Sequence, residues 1–206
     1  MSSIPQYLYH GTSVKHLENI LSNGIKPRGD NPSNWSSCES HPGAVYLTDA
    51  FASYYAHAAC EDNEDLLVLK IDTSKLDIDL FFADEDAVEQ IMRGNDEIGH
   101  LSVVDRTLHY RNELLLYNAE TSLKILGNCT YIDTIPPEAI VDYKVLDNRN
   151  YSRAVMSGID PTITIMCYRI LGSKYRDFTK SLFDGNNTFI LSEEIYNSIF
   201  KKVTTV

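Results

Sequence analysis

The chain has 206 residues, 43% of them hydrophobic and 23% charged, which suits an ordinary globular protein of one domain with an appendage. No apolar run approaches the roughly 18 residues of a membrane span, and the opening Met1-Ser2-Ser3-Ile4-Pro5 lacks the basic and apolar regions of a signal peptide, so a cytoplasmic location without membrane contact is expected. The net charge of −11 argues against a surface that coats nucleic acid at large, because such affinity comes from neutralised phosphates.

The first predicted element is a short strand at Tyr7-Leu8-Tyr9. Thr12 or Ser13 then suits a helix cap, with Val14, Leu17, Ile20 and Leu21 on one face, Gly24 as the stop and Pro27 beyond it. Residues 28–43 are rich in Ser, Asn, Gly and Pro and read as a long loop. Val45 to Thr48 is a strand, Asp49 a cap for an Ala-rich helix through Ala59, and Leu66 to Ile71 a buried strand. Glu85 to Arg93 reads as a helix stopped by Gly94, and residues 95–112 as mostly loop. Glu113 to Tyr117, Cys129 to Ile132 and Ile140 to Leu146 are further strands, the last two separated by the turn at Pro136-Pro137. Thr162 to Phe183 and Ser192 to Phe200 suit helices. The organisation expected is α+β, with one domain over 1–148 and a helical extension over 149–206 packed on it. Residues 151–206 carry 7 Lys+Arg against 5 Asp+Glu, so a local basic surface belongs there.

Cys38, Cys60, Cys129 and Cys167 are widely spaced, and reduced thiols are expected. Cys38 and His41, with His57 and Cys60, have paired spacings that tetrahedral zinc uses. The segment between them carries a strand and a helix, so a loop cysteine and a helix-face pair explain the spacing, and no metal is expected.

Three short motifs bear on chemistry. Tyr9-His10-Gly11-Thr12 closes the first strand, Val45-Tyr46-Leu47-Thr48 leads into a helix, and Asn112-Glu113-Leu114-Leu115-Leu116 places a glutamate after a loop. In this order they resemble the motifs of the His-Tyr-Glu ADP-ribosyltransferases, with Gly24-Ile25-x-Pro27 and Ile135-Pro136-Pro137-Glu138-Ala139-Ile140 extending the likeness. The resemblance spans residues 7 to about 146. It implies two packed β-sheets around an NAD cleft. It also implies transfer of one ADP-ribose from NAD to a macromolecule by a small prokaryotic or phage-type toxin or effector.

By the same resemblance, Glu113 would stabilise the oxocarbenium-like ribose, His10 would hold a ribose hydroxyl, and Gly11 and Thr12 would lie against the carboxamide. Tyr46 would stack on nicotinamide, with Tyr55 or Tyr54 closing the other side. Glu89, Glu97 and Glu120 rival Glu113, and Glu138 is the fallback. Arg28 would reach the NAD diphosphate. Arg111, two before the glutamate, stands where relatives have Glu or Gln. Two cations would oppose each other, which speaks against an arginine acceptor and favours RNA or DNA over protein. The alternatives are a catalytically inactive NAD-binding or protein-interaction module, an NAD-dependent RNA 2′-phosphotransferase-like enzyme, and the zinc protein. An acidic surface also suits a basic inhibitor or antitoxin.

Overall fold

A computed structural model of the chain describes residues 4–32, 39–61, 63–91, 100–147, 168, 172–173 and 175–184. Strand β1 (Tyr7–Ser13) runs into a 3-10 turn, where the Ser13 side chain accepts from Lys15 N–H, and then into helix α1 (Leu17–Asn23). Gly24 ends α1 at φ 78°, and a Cβ there would collide with the Ile135 carbonyl oxygen. Position 24 therefore requires glycine twice over, for backbone conformation and for room.

Strand β2 (Val45–Thr48) leads to helix α2 (Ala52–Ala59). The N-cap of α2 is Phe51, without a side-chain cap bond, and not the expected Asp49; in the turn before it Thr48 Oγ1 accepts from the N–H groups of Ala50 and Phe51 at 3.1 and 3.0 Å. Strand β3 (Leu66–Asp72) is the buried apolar run, and β4 (Phe81–Phe82) precedes helix α3 (Glu85–Ile91).

The expected loop before residue 113 and strand after it are instead helix α4 (Val103–Glu113) and a 3-10 turn (Leu114–Leu116). Ser102 caps α4, accepting from Asp105 N–H at 3.1 Å, and Tyr110 is buried with Val88 of α3. Three consecutive leucines look like a buried strand, yet Leu115 and Leu116 are exposed, Leu116 at 77%. They have no sheet to enter, because the place beside β2 belongs to β5 (Asn128–Tyr131). Helix α5 (Ala119–Leu126), capped by Asn118, precedes β5, and β6 (Ile140–Leu146) closes the domain.

The six strands form one antiparallel sheet in the order β4-β5-β2-β1-β3-β6. Two separate packed sheets, as the resemblance implies, are not what the described residues form. The sheet is nonetheless close to divided. β1 pairs along its whole length with β3, and β2 along its whole length with β5. β1 meets β2 at the single register pair Tyr9↔Thr48. Two three-stranded halves are thus joined at one position, and the seam runs past His10 and Tyr46.

One face of the sheet buries Leu8, Leu47, Leu67, Leu69 and Ile71 with Ile20 of α1 and Leu123 of α5. The other buries Tyr9, Leu66 and Val68 with Ala52 and Ala56 of α2, and with Tyr168, Tyr175 and Phe178. Thr179 Oγ1 also reaches the Ala50 carbonyl at 2.5 Å. Residues from the C-terminal part therefore contribute to this second core. Residues 175–181 are helical; the expected helix at Ser192 to Phe200 lies outside the described residues. Among the described residues no helix is long and apolar enough to cross a membrane.

Candidate active site

The seam between β1 and β2 is bridged by a side chain. His10 Nδ1 lies 2.9 Å from the Tyr46 carbonyl oxygen. A carbonyl only accepts, so Nδ1 carries the proton and Nε2 of the neutral ring is left as an acceptor. Burial pushes the His10 pKa below its usual value, which keeps that neutral form at physiological pH.

Tyr46 is bonded at its other end. Its hydroxyl donates to the Glu85 carboxylate, with Oε1 at 2.7 Å and Oε2 at 2.8 Å, and accepts from the His41 N–H at 2.8 Å. Glu85 is 6% exposed. Burial is the largest influence on it and raises its pKa to about 7, against the opposing hydrogen bond from Tyr46. Asp84, next to it and 5% exposed, is pushed up well above the carboxylate range, by burial first and then by the charge of Glu85. Two neighbouring buried carboxyls cannot both ionise cheaply. Imidazole, peptide carbonyl, phenol and carboxylate thus form one connected chain from β1 through β2 to the start of α3.

Glu113 has no part in it. It ends α4, its side chain is 41% exposed, and its partner is His109 one turn earlier at 3.3 Å. The strand beside β2 opens instead on Asn128, opposite Thr48. Asn128 is 2% exposed, its Nδ2 donates to the Tyr55 hydroxyl, and its Oδ1 has no partner among the described residues. Tyr55 packs edge-on against Tyr54, with ring centroids 5.2 Å apart. Tyr55 thus joins the strand that neighbours Tyr46 through Asn128.

Beside His41, whose N–H bonds the Tyr46 hydroxyl, Glu39 draws together Arg28 and Arg111 of α4. Arg28 Nη2 lies 3.5 Å from the Glu39 carboxylate, and Arg111 Nη1 donates to the Glu39 carbonyl at 2.9 Å. Their situations differ. Arg28 spends its donors on the carbonyls of Gly29, Asn31 and Ser40, so it pins the loop and has little left for a diphosphate. Arg111 Nε is buried and has no partner among the described residues. Its positive charge is felt by both Glu85 and His41.

Gly11 and Thr12 lie in the part of β1 that pairs with β3 and packs against α2. A Cβ on Gly11 would overlap the Ala52 carbonyl oxygen and lie 2.6 Å from Ala56 N, so glycine is required there by α2 crossing β1. Thr12 is a paired position of β1, opposite Leu67. Of the cysteine and histidine quartet, Cys38 lies outside the described residues, and Cys60 Sγ sits 3.5 Å from the Asp65 carbonyl. The side chain of Glu89 and all of Glu97 are likewise outside them. Glu120 pairs with Lys124 on the surface, and the Glu138 carbonyl accepts from Lys75.

Sequence reasoning missed Glu85, Asp84 and Asn128. Asp84-Glu85-Asp86 looks like an acidic first turn of a helix, the commonest reason for such a run. The residue before Asp84 is buried with Val88 and Tyr110, and only β4 lying beside β5 turns the acidic pair inward. A search against protein-family models and against curated proteins finds no match to this chain.

Proposed function

We propose that the chain is an NAD-dependent mono-ADP-ribosyltransferase in which Glu85, and not Glu113, supplies the carboxylate. The observation that carries this reading is the hydrogen-bonded run from His10 across the Tyr46 backbone and phenol to Glu85. Those are the three group types that the reaction asks for, meeting at the one place where the sheet is almost divided.

In the reaction the bond from the ribose anomeric carbon to the nicotinamide nitrogen breaks, and nicotinamide leaves with the electron pair as a neutral molecule. The acceptor attacks the anomeric carbon and gives up a proton. A fixed carboxylate near the cationic ribose contributes most while charge develops, because it needs no reorganisation. Glu85, ionised above about pH 7, is such a group and can also receive the acceptor's proton. His10 Nε2 accepts from a ribose hydroxyl. The ring of Tyr46 offers a face to the cationic nicotinamide. Arg111, whose Nε has no partner among the described residues, suits the phosphates of the dinucleotide or of a nucleic-acid acceptor. RNA or DNA is the favoured acceptor and protein the other, in keeping with a toxin or effector that an inhibitor protein would restrain.

One observation favours a second reading, a catalytically inactive NAD-binding module. The strand beside β2 begins with Asn128, an amide without charge. Incubation with labelled NAD and separate pools of DNA, RNA and cell protein distinguishes them. Label in one macromolecular pool supports the transferase. NAD bound but left intact, with nothing labelled, supports the inactive module.

A further inference from the structure

Among the described residues the sheet has one long edge. β4, at the opposite side, has two residues, runs directly into Asp84 and α3, and is bridged by Asn118 at Phe82. β6 has seven residues and pairs with β3 on one side. Along it Val141, Tyr143 and Val145 are exposed at 42%, 40% and 45%, alternating with half-buried neighbours. An edge of this length with apolar alternate positions is a template for another strand.

The residues between them decide which strand. We propose that β6 pairs antiparallel with β6 of a second copy of this chain, with Tyr143 opposite Tyr143. A symmetric antiparallel pair must set one residue against itself. Centred on Tyr143, it sets Asp142 opposite the second copy's Lys144 and Lys144 opposite its Asp142, with Val141 against Val145 on the same exposed face. Centred one residue either way, it sets Asp142 against Asp142 or Lys144 against Lys144, which is unfavourable.

Within one chain the two charges already attract, Lys144 Nζ lying 3.7 Å from Asp142 Oδ2, with both side chains more than a third exposed. A lysine on an edge strand ordinarily discourages pairing; here its neighbour at i−2 cancels that effect in one register only. The register of β6 against β3 shifts at Lys70/Ile71, where Asp142 and Ile140 pair with consecutive residues and Val141 bulges. The ladder from Asp142 to Leu146 is regular, and it contains the central positions of the proposed pair. With the β4 edge obstructed, the association closes at two copies and does not propagate.

Charge-swap variants test this by sedimentation velocity across a concentration series. Wild type is expected to show a concentration-dependent dimer. D142K and K144D each turn two attractive cross-strand pairs repulsive and should weaken it about tenfold or more. The double variant D142K/K144D should restore it, and mixing the two single variants should give a heterodimer. Both side chains are more than a third exposed, so circular dichroism should show unchanged folding. A wild-type chain that stays monomeric at its highest soluble concentration overturns the proposal. So does a dimer indifferent to the single swaps, or one that the double swap fails to restore. None of these readouts involves NAD.

Discussion

Replacing Glu85 by glutamine separates the carboxylate's charge from its shape. The amide side chain of E85Q keeps an oxygen that accepts from the Tyr46 hydroxyl, now 2.7 Å from Glu85 Oε1, and changes little in volume. A carboxyl whose ordinary pKa is 4.5 but which titrates near 7 in the fold resists ionisation. Holding it ionised at pH 8 costs roughly 3 kcal/mol, an order-of-magnitude figure from the linkage between pKa and stability. E85Q should therefore melt no lower than wild type at pH 8, and higher if most of that cost is recovered. Turnover should fall by about a hundredfold or more, because a preorganised charge at the reacting centre is typically worth that much. E113Q is the control. It alters a half-exposed contact with His109 and should shift stability by less than about 0.5 kcal/mol while leaving turnover unchanged. Hydrolysis or transfer of ADP-ribose from labelled NAD is the assay, with thermal melts alongside. If E113Q abolishes turnover and E85Q retains it, the assignment of Glu85 is wrong. If E85Q melts well below wild type at pH 8, the account of its burial is wrong.

Stability should decline as pH rises from about 4 to about 7. Glu85 and Asp49, raised to about 7 and about 6 by burial, stay protonated in the fold over a range where the unfolded chain has released those protons, so the native state binds more protons and loses stability as they leave. Urea midpoints at pH 5 and pH 8 check the sign, and a higher midpoint at pH 8 contradicts it. On the transferase proposal, kcat/KM should rise with pH through about 7 as Glu85 ionises, and E85Q should flatten that rise. Y46F strips the donor from Glu85 and the acceptor from His41 N–H, and should cost about 1–3 kcal/mol in chemical denaturation. G11A should be destabilising by about 1–3 kcal/mol or more, since its methyl would overlap the Ala52 carbonyl; a neutral melt would show that α2 stands further from β1.

Much of this protein was legible before any coordinates. The apolar run at Leu66 to Ile71, the Gly24 stop and the strands at residues 45–48 and 140–146 follow from local rules of burial period, left-handed glycine and alternation. His10 and Tyr46 stand out because each lies in a motif that resembles those of a known family, and their contact needs only two strands side by side. Glu113 shows where local rules fail. A leucine triplet is compatible with a buried strand or with an exposed turn, and the choice depends on whether a partner strand has a vacant edge. β5 holds the place beside β2, so Leu115 and Leu116 turn outward and Glu113 stays half-exposed. Asp84 and Glu85 show the converse. Their sequence reads as a solvated helix start, and only the adjacency of β4 to β5, with Ser122 Oγ receiving the Asp84 N–H, carries them inside. Sequence determines which faces a segment can bury, since that depends on neighbours three or four residues away. Which face it does bury, and so which carboxylate loses its water, depends on strands joined across the whole chain, and the tertiary structure alone decided that.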